Sequence, residues 1–442
     1  MDLLCRASDL RPTPPYRLPS FRAGHADRTH RRAQFLDTSL DLTVGFRTLQ
    51  SPLQTKSVEI GLYQPPCYLS FFHLLHFSQA INFCISTSHS ILMPTMNALV
   101  GAESGGYCLV EHVEIPAPRP GSMLVRVHAV ALNPRDAKIV DFSNATGSLG
   151  GCDFAGTVER VGEGVARFKE GDRVLAVTFG SDPFDKTQGA FAEYALAEED
   201  ISCHIPESFS FTQACSIGLS MATAGLALFQ APGLELSMQG GTTEFVLVSG
   251  GATATGTMAT QLLKMAGYTP IVTCSPANNS LCESYGAAAC FDYHSPACGA
   301  DIRVHTDNRL RYVLDCVTDA ATMKMCYGAI GSLGGSYVAL ETLATTVKYT
   351  RRDVRADWFL ADAIMGDGVH MTGTYGRPPS PEHRRFGKQL FSLAENWLQN
   401  GSIRTHPLEV QNGGLADLPK AMDDMKLGKV HAKKLVMPLL GH

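Results

Sequence analysis

The sequence predicts an α/β protein in which a doubly wound parallel sheet is combined with a second, β-rich domain. Two observations carry this prediction. First, a strand, a glycine-punctuated turn and a helix occupy Glu244–Gly267, and another strand follows at Pro270–Cys274, the spacing of one βαβ unit. Second, residues 96–206 contain many short strands separated by turns, which is typical of a compact, irregular β-barrel-like domain.

Composition narrows the class of protein. The chain has 442 residues, of which 45% are hydrophobic and 18% charged, and this is enough for a large buried core and two domains. A net charge of −5 gives no reason to expect a nucleic-acid partner. The 13 cysteines are scattered, without a C-x-x-C pair or zinc-finger spacing, so we expect reduced thiols in a cytoplasmic protein.

The first 95 residues differ in texture from the rest of the chain. They are rich in Arg and Pro and include the apolar run Cys67–Thr87, which two histidines, a glutamine and an asparagine interrupt. Such a run is a poor membrane span, and it begins too late for a signal peptide. We interpret residues 1–95 as a poorly ordered extension, with Met93 or Met96 as the initiator if the gene start is mistaken.

The junction at Gly250 is the first candidate binding site. Gly250 and Gly256 occupy the outer positions of the G-x-G-x-x-G dinucleotide fingerprint, whereas its middle glycine is only approximated. A helix that begins after this turn, here at Gly256, leaves its first N–H groups unpaired, and these donors attract a phosphate. The alternative is an ordinary βα turn that binds nothing, but the βαβ context favours the nucleotide site.

The other elements are predicted from the period of the apolar residues. Strands are predicted at Met123–Ala131, within Gly150–Val158, twice within Glu159–Val177, at Ala190–Ala195 and at Lys433–Met437. Phe386–Asn400 carries apolar residues at helical spacing and stops before a glycine, so we predict a helix there and a shorter one at Leu418–Leu427.

Several short motifs occur in a characteristic order. They are N-P-x-D-x-K at Asn133–Lys138, then D-F-A-G-x-V-x-x-V-G, G-D-R-V, G-A-F-A-E-Y and the nucleotide turn. From Met96 to its end, the chain resembles the medium-chain dehydrogenase/reductase superfamily. The resemblance implies a GroES-like catalytic domain at residues 96–220, a Rossmann NADP-binding domain at 221–370, and a return to the catalytic domain at 371–442.

Zinc is not expected in either of the superfamily's metal sites. Zinc alcohol dehydrogenases have a G-H-E turn where this chain has Gly151-Cys152-Asp153, and their four-cysteine lobe is missing here. Cys152 and Asp153 are metal-ligand types, but we interpret them as a buried thiol beside a turn carboxylate. Without a Lewis acid, the chemistry shifts to substrates with their own electron sink, such as enoyl thioesters and enones.

The end of the second nucleotide-domain strand bears on the cofactor. NAD binding usually needs a carboxylate there, but the strand is followed by Ser275–Asn278, so NADPH is favoured. Ser275 and Asn278 can donate hydrogen bonds to a 2′-phosphate. Lys264, Arg311 or Tyr293 are candidates for further contacts, and the alternative for Tyr293 is a buried aromatic at a strand end.

Longer phrases narrow the resemblance. SGGATATGTMA, TCSPAN, FDYHSP, LRYVLDC, TYGRP and GKVHAKKLVM are similar to the fungal trans-acting enoyl reductases. This resemblance implies NADPH-dependent reduction of an unsaturated polyketide thioester held on the carrier protein of a highly reducing polyketide synthase or a polyketide synthase–peptide synthetase hybrid. A monomer fits this subfamily, whereas many relatives dimerise through an exposed edge strand, and no membrane partner is expected. The alternatives are a stand-alone quinone or enone reductase and a non-catalytic partner of a synthase.

The resemblance also implies the site residues. The implied cofactor contacts are Arg135, Asp136, Ala137, Lys138, Ala252, Thr253, Ala254, Thr255, Ser275, Pro276, Ala277, Asn278, Tyr293, Leu340, Glu341, Ala432 and Lys433. The implied acyl pocket consists of Leu219, Ser220, Met221, Ala222, Thr223, Ala224, Gly225, Leu226, Ala363, Ile364, Met365, Gly366 and Asp367. Glu341 departs from the amide or small polar residue expected beside nicotinamide.

Lys138 is the candidate proton donor. An ammonium group near a developing enolate stabilises its charge and can deliver a proton to the α-carbon. The alternative is that Lys138 only anchors ribose hydroxyls while water protonates the enolate.

Overall fold

The structure is a computed structural model that describes residues 94–140, 143, 145–240 and 243–439. The predicted extension, apart from its last two residues, lies outside the described residues, and so do the apolar run Cys67–Thr87 and Met93. Met96 lies inside the first strand.

The described residues form fifteen strands and ten α-helices. The strands are β1 Thr95–Gly101, β2 Tyr107–Glu114, β3 Ser122–Ala131, β4 Asp153–Val161, β5 Arg173–Val177, β6 Tyr194–Glu198, β7 Ser202–His204, β8 Phe245–Ser249, β9 Thr269–Cys274, β10 Ala289–Asp292, β11 Tyr312–Asp315, β12 Gly335–Ala339, β13 Val354–Trp358, β14 Leu408–Val410 and β15 Lys434–Pro438. The helices are α1 Pro134–Ile139, α2 Phe211–Ala214, α3 Gly218–Phe229, α4 Ala254–Met265, α5 Asn279–Ser284, α6 Cys298–His305, α7 Ala320–Ala329, α8 Thr345–Lys348, α9 Pro381–Gln399 and α10 Leu418–Lys426.

The β-rich domain is built around β3. In its seven-stranded sheet the order is β14-β15-β3-β4-β5-β7, and β6 also pairs with β3. Alternate residues of β3, among them Met123, Val125 and Val127, are buried in one core cluster with Phe154 and Leu435. Burying each such side chain contributes about 1.5–3 kcal/mol. Because β15 pairs with β3, the C-terminal segment is held against the first domain.

The strand predicted at Ala190–Ala195 is wrong in its position. The observed strand β6 begins four residues later, at Tyr194. Ala190 and Phe191 are fully buried, and their N–H groups donate to the carbonyls of Gly151 and Gly150 at 3.2 and 2.9 Å. The chain here is apolar because it packs in an irregular segment, and apolar content alone does not separate such a segment from a strand.

The second sheet is parallel throughout and has the order β10-β9-β8-β11-β12-β13. Its central strand β8 is buried on both faces, with Val246 and Val248 in one core cluster and Leu247 in another. The strand order reverses between β8 and β11, and in such sheets ligands bind outside the carboxyl ends of the strands at that point. The predicted α/β architecture is confirmed.

Among the described residues, Phe211–Phe229 is the one helical run long and apolar enough to cross a membrane. In this structure, 78% of its most apolar window is buried inside the protein. Burial of this extent is what a core helix shows, because its apolar faces are covered by other elements of the protein.

Candidate active site

A cleft with a volume of about 340 Å³ lies between the two domains. The carboxyl ends of β8, β11 and β12 form one wall, and α1 with the segment before β15 forms the other. The predicted site residues that line it are Arg135, Lys138, Leu219, Ser220, Thr223, Ala252, Thr253, Ala254, Thr255, Leu340, Glu341, Ala432 and Lys433. Sequence positions from 135 to 433 therefore meet in one cavity.

Other predicted residues lie outside this lining. Leu219, Ser220 and Thr223 of α3 line the cleft, whereas Met221, Ala222, Ala224, Gly225 and Leu226 of the same helix do not. No residue of the second predicted acyl stretch, Ala363–Asp367, lines the cleft, whereas Ala361 and Asp362, which directly precede it, do. Ser275–Asn278 and Tyr293 follow β9 and β10 at the same sheet edge but beyond the cleft lining.

Asp136 and Ala137 lie on the buried side of α1. The Asp136 carboxylate accepts a hydrogen bond from the N–H of Asn133 at 2.9 Å, which caps the first turn of the helix. Burial raises the pKa of Asp136 to about 6. The structure thus gives Asp136 a capping contact, while Arg135 and Lys138 from the same helix line the cleft.

The glycine-rich turn has the geometry of an anion site. Thr253 is the N-cap of α4: its hydroxyl donates to the carbonyl of Gly250 at 2.8 Å and accepts from the N–H of Gly256 at 3.0 Å. The helix therefore begins at Ala254, and the predicted start at Gly256 is wrong because an N-cap threonine already satisfies that N–H. Ala254 and Thr255 line the cleft in the first turn, where helical N–H groups lack intrahelical partners.

Glycine is required at two points of this turn. Gly250 has a φ of 78°, in the left-handed region that favours glycine. A Cβ atom at Gly256 would lie 2.3 Å from the carbonyl oxygen of Gly250. The two outer glycines of the approximate fingerprint thus serve the close packing of the turn.

Lys138 lies beside an acidic partner in the cleft. Its Nζ is 3.9 Å from Oε2 of Glu341, and the hydroxyl of Tyr375 donates to Oε1 of Glu341 at 2.8 Å. The Lys138 side chain is 59% exposed. Burial, together with the hydrogen bond to Glu341, raises the pKa of Tyr375 above its ordinary value. The glutamate that departs from the expected residue type therefore pairs with the candidate proton donor.

Arg135 is held by residues of both domains. Its guanidinium forms an ion pair with Asp362, in which Nε lies 3.1 Å from Oδ2, and it donates to the Cys152 sulfur at 3.3 Å and the Gly180 carbonyl at 3.2 Å. The sequence predicts that Arg135 lies beside the cofactor. The structure gives its guanidinium a fixed orientation there, because its N–H donors already form hydrogen bonds.

The turn that holds zinc ligands in related dehydrogenases does not fit zinc in this chain. The Cys152 sulfur accepts a hydrogen bond from Arg135, and burial raises the pKa of its thiol well above the ordinary value. The Asp153 carboxylate lies 2.6 Å from Nζ of Lys434. Each candidate ligand already contacts a cationic side chain, which repels a metal ion.

Asp153 is the centre of a buried polar network. Besides Lys434, it accepts hydrogen bonds from the side-chain amide of Asn133 at 3.0 Å and from the N–H of Leu219 at 2.6 Å. Asp153 is fully buried and Lys434 is 4% exposed. The network ties β4, β15 and the start of α3 together behind the cleft. Sequence reasoning treated Asp153 only as a turn residue and missed this role.

His406 is a second residue that sequence reasoning missed. It lines the cleft, and its Nδ1 lies 3.1 Å from the hydroxyl of Thr257 on α4. Its Nε2 has no hydrogen-bond partner among the described residues. Burial lowers the pKa of His406 to about 4, so the ring is neutral at physiological pH. In the sequence it stands only as the residue before Pro407 at a predicted strand start.

The lowered pKa of His406 predicts a pH dependence of stability. The neutral His406 ring contributes fully to the free energy of unfolding when the pH is above the ordinary histidine pKa. This contribution is lost as the pH falls toward 4, because protonation then favours the unfolded chain. We expect His406→Asn to remove on the order of 2–3 kcal/mol of the acid-dependent loss in unfolding free energy. Urea unfolding at pH 6.5, 5.5 and 4.5 measures it. His112→Asn, at an exposed position, is the control. The prediction is contradicted if the free energy of unfolding changes equally with pH in both variants.

Comparison with known proteins assigns the family. The family model described as "Alcohol dehydrogenase GroES-like domain" matches residues 119–207, and the model described as "Zinc-binding dehydrogenase" matches residues 254–356. A trans-enoyl reductase of a Penicillium species, grgB, is 83% identical over 351 residues, covering 79% of this chain and all of the relative. A trans-enoyl reductase of Gibberella fujikuroi is 67% identical, covering 78% of this chain and 99% of the relative. The chain belongs to the trans-enoyl reductases.

Solved structures share the fold of this trans-enoyl reductase. The CurK enoyl reductase is similar with a TM-score of 0.62 and 18% identity, covering 78% of this chain and 100% of that one. The quinone oxidoreductase from Coxiella burnetii is similar with a TM-score of 0.59 and 24% identity, with the same coverage. At these identities the likeness concerns the fold alone. The family places the protein in the medium-chain dehydrogenase/reductase superfamily, which uses a nicotinamide cofactor.

Proposed function

We propose that this trans-enoyl reductase uses NADPH to reduce the α,β double bond of a polyketide thioester presented by a carrier protein. The carrier would belong to a highly reducing polyketide synthase or a polyketide synthase–peptide synthetase hybrid. The observation that carries the proposal is the cleft, whose lining combines Lys138 and Glu341 with the glycine-rich turn and with Leu219, Ser220 and Thr223 of α3. Relatives named as trans-enoyl reductases, at 83% and 67% identity, support it.

The cleft offers separate surfaces to the two reactants. Ala252–Thr255 offers helix N-terminal donors to a diphosphate, and Leu340 and Glu341 follow β12, where a nicotinamide ring would lie. Leu219 and Phe359 offer apolar surface to an acyl chain, whereas the buried Asp362 is neutralised by Arg135. This division suits a charged cofactor and an apolar substrate that meet at Lys138.

When bound, NADPH supplies a hydride, which is added to the β-carbon of the enoyl thioester. Lys138 would lie near the carbonyl, where its ammonium stabilises the charge that spreads into the enolate. It would then transfer one proton to the α-carbon and become a neutral amine. Because its side chain is 59% exposed, solvent can return the proton after each turnover. Glu341, whose Oε2 is 3.9 Å from Nζ, would hold the ammonium group in place in the cleft.

The choice of NADPH is supported by the turn after β9. Ser275 precedes the short 3₁₀ helix Pro276–Asn278, and the Asn278 side-chain amide donates to the Ser275 hydroxyl at 3.0 Å. A hydroxyl and an amide can bind a 2′-phosphate, which a carboxylate would repel. Tyr293 is 48% exposed at the end of β10, so its alternative as a buried aromatic is wrong.

Two other candidates for the phosphate lie at the opposite edge of the sheet. Arg311 directly precedes β11 and therefore stands at the amino end of a parallel strand, where it lies 3.9 Å from Glu244. Lys264 is in the last turn of α4, which also returns to that edge. The suggestion that either of them contacts the phosphate is therefore wrong.

Adding a carboxylate to this turn is expected to weaken the preference for NADPH over NADH. We expect Ser275→Asp to lower kcat/KM with NADPH about 10- to 100-fold through like-charge repulsion and to leave NADH turnover within a few fold. Initial rates with both cofactors measure the change. Ser280→Asp, on an exposed position of α5, is the matched control. Unchanged preference in Ser275→Asp would place the 2′-phosphate elsewhere.

The proposed reaction is tested by following NADPH oxidation with three kinds of acceptor. These are a carrier-bound enoyl thioester, the same acyl group on pantetheine, and simple quinones. Turnover of the thioesters, with the carrier-bound form preferred, is the expected result. Turnover of quinones alone would favour a stand-alone quinone reductase. If NADPH binds but none of the acceptors is reduced, the non-catalytic alternative is favoured.

A further inference from the structure

Three cysteines converge beside the nucleotide domain's second strand. Cys274 is the last residue of β9, Cys282 lies on α5, and Cys290 lies on β10. Their sulfur atoms all lie within 4.8 Å of one another. In the parallel register Cys274 faces Asp292, so Cys290 is two residues away and its side chain stands on the same face of the sheet. Helix α5 places the third thiol over that face.

Ordinary core packing is the alternative explanation for this cluster, because a buried thiol often acts as a small apolar side chain. Cys274 and Cys282 are buried and Cys290 is half-buried. Cys274 and Cys282 belong to an apolar core cluster, and Cys290 packs against it. Two of the thiols nevertheless face oxygen acceptors. The Cys274 and Cys290 thiols donate to Oδ1 and to the backbone carbonyl of Asn279, at 3.3 and 3.7 Å. Apolar packing does not require carbonyl oxygens directed at two sulfurs.

The distances fit a metal centre. A point equidistant from three sulfurs 4.8 Å apart lies about 2.8 Å from each of them, compared with a metal–thiolate bond of about 2.3 Å. Each sulfur would therefore have to move by only about 0.5 Å, which a change of side-chain torsion provides. The three thiols come from two strands and a helix, so the backbone already holds them in a triangle.

We propose that Cys274, Cys282 and Cys290 form a three-thiolate binding site for a soft metal ion of the Cu(I) class. As each sulfur–metal bond forms, the S–H bond breaks and its proton passes to solvent, and no electron is transferred. Soft thiolate ligands select Cu(I) over hard cations. None of the three cysteines lines the cofactor cleft, and the turn at Gly151–Asp153 belongs to the other domain. The site is thus distinct from the zinc positions of related dehydrogenases.

The site has a structural consequence for the cofactor turn. Cys274 immediately precedes Ser275, so the metal would fasten the end of β9 to α5 and β10. A ligand that binds only the folded chain raises its melting temperature. We therefore expect both metal binding and a rise in melting temperature, whatever substrate the enzyme reduces.

The test uses the full chain, reduced with a phosphine and freed of metal. Cu(I) is titrated against a chromophoric Cu(I) chelator, and Cd²⁺ binding is followed by thiolate-to-cadmium charge-transfer absorption. We expect tight binding and a higher melting temperature in the wild type. In Cys282→Ser and in the half-buried Cys290→Ser, we expect a Cu(I) affinity at least tenfold weaker than in the wild type. We also expect these variants to lose the metal-dependent rise in melting temperature. Two variants are used so that the result does not depend on one buried substitution.

Cys298→Ser is the matched control, since Cys298 is buried in the same sheet's other core cluster and lies outside the three-cysteine group. The control should keep the wild-type affinity, absorption band and metal-dependent rise in melting temperature. Melting curves recorded without metal establish that each variant is folded. If the folded Cys282→Ser and Cys290→Ser proteins bind Cu(I) and Cd²⁺ as the wild type does, or if the wild type binds neither, the proposal is overturned.

Discussion

Lys138→Met is expected to lower kcat with an enoyl thioester about 100- to 10,000-fold, because the enolate loses both its stabilising charge and its proton donor. The affinity for NADPH should change only a few fold, since the diphosphate site that we propose at Ala252–Thr255 does not include this side chain. Single-turnover rates and fluorescence titration with NADPH separate the two effects. Full turnover with tight NADPH binding in this variant would rule out the catalytic role.

The alternative role of Lys138 makes a different prediction. If Lys138 only anchors ribose hydroxyls, the variant should bind NADPH poorly and retain its rate at saturating cofactor. Glu341→Gln provides the matched comparison, because it removes the partner 3.9 Å from Nζ and keeps the lysine. We expect a smaller loss of kcat than in Lys138→Met, because the ammonium group stays in the cleft but loses its acidic partner. An unchanged kcat would mean that Glu341 does not act on the proton donor.

Lys434→Met is expected to lower the free energy of unfolding by about 3–5 kcal/mol, because it leaves the buried Asp153 carboxylate without a counter-charge. The two groups lie 2.6 Å apart, and both are nearly inaccessible to solvent. Urea unfolding at neutral pH measures the loss. In the double variant Asp153→Asn, Lys434→Met, much of the stability should return, because no charge remains buried.

The next residue in the chain provides a control for this prediction. Lys433 pairs with Glu409 at 3.3 Å on the surface, with side chains 52% and 44% exposed. Exposed pairs of this kind contribute about 0–1 kcal/mol, so Lys433→Met should change stability by no more than that. Equal losses from Lys433→Met and Lys434→Met would contradict the account of a buried, coupled pair.

Features that rest on neighbouring residues were predictable. The strand at Phe245–Ser249 and the helix after Gly250 follow from local apolar period and turn chemistry, and the structure has both within two residues of the prediction. The helix start differed because a threonine N-cap competes with glycine for that position. The family resemblance was likewise carried by contiguous motifs, and the relatives confirm it.

Contacts between residues that are far apart in the sequence could not be predicted from sequence patterns. Glu341 stood out in the sequence only as an unexpected residue type, and its partners Lys138 and Tyr375 come from other parts of the chain. His406 carries no sequence signal beyond being a histidine before a proline. Period-based reasoning finds the face that an element buries, but it does not identify what packs against that face.

By itself, the sequence determined the α/β architecture, the glycine-rich turn at Gly250 and the family, because local geometry and contiguous motifs encode them. Only the tertiary structure decided which face of α3 meets the cleft, that Asp153 is neutralised by Lys434, and that Cys274, Cys282 and Cys290 form one cluster. These contacts arise when separate elements pack together. Their partners are therefore fixed by the arrangement of the sheets and helices rather than by spacing along the chain.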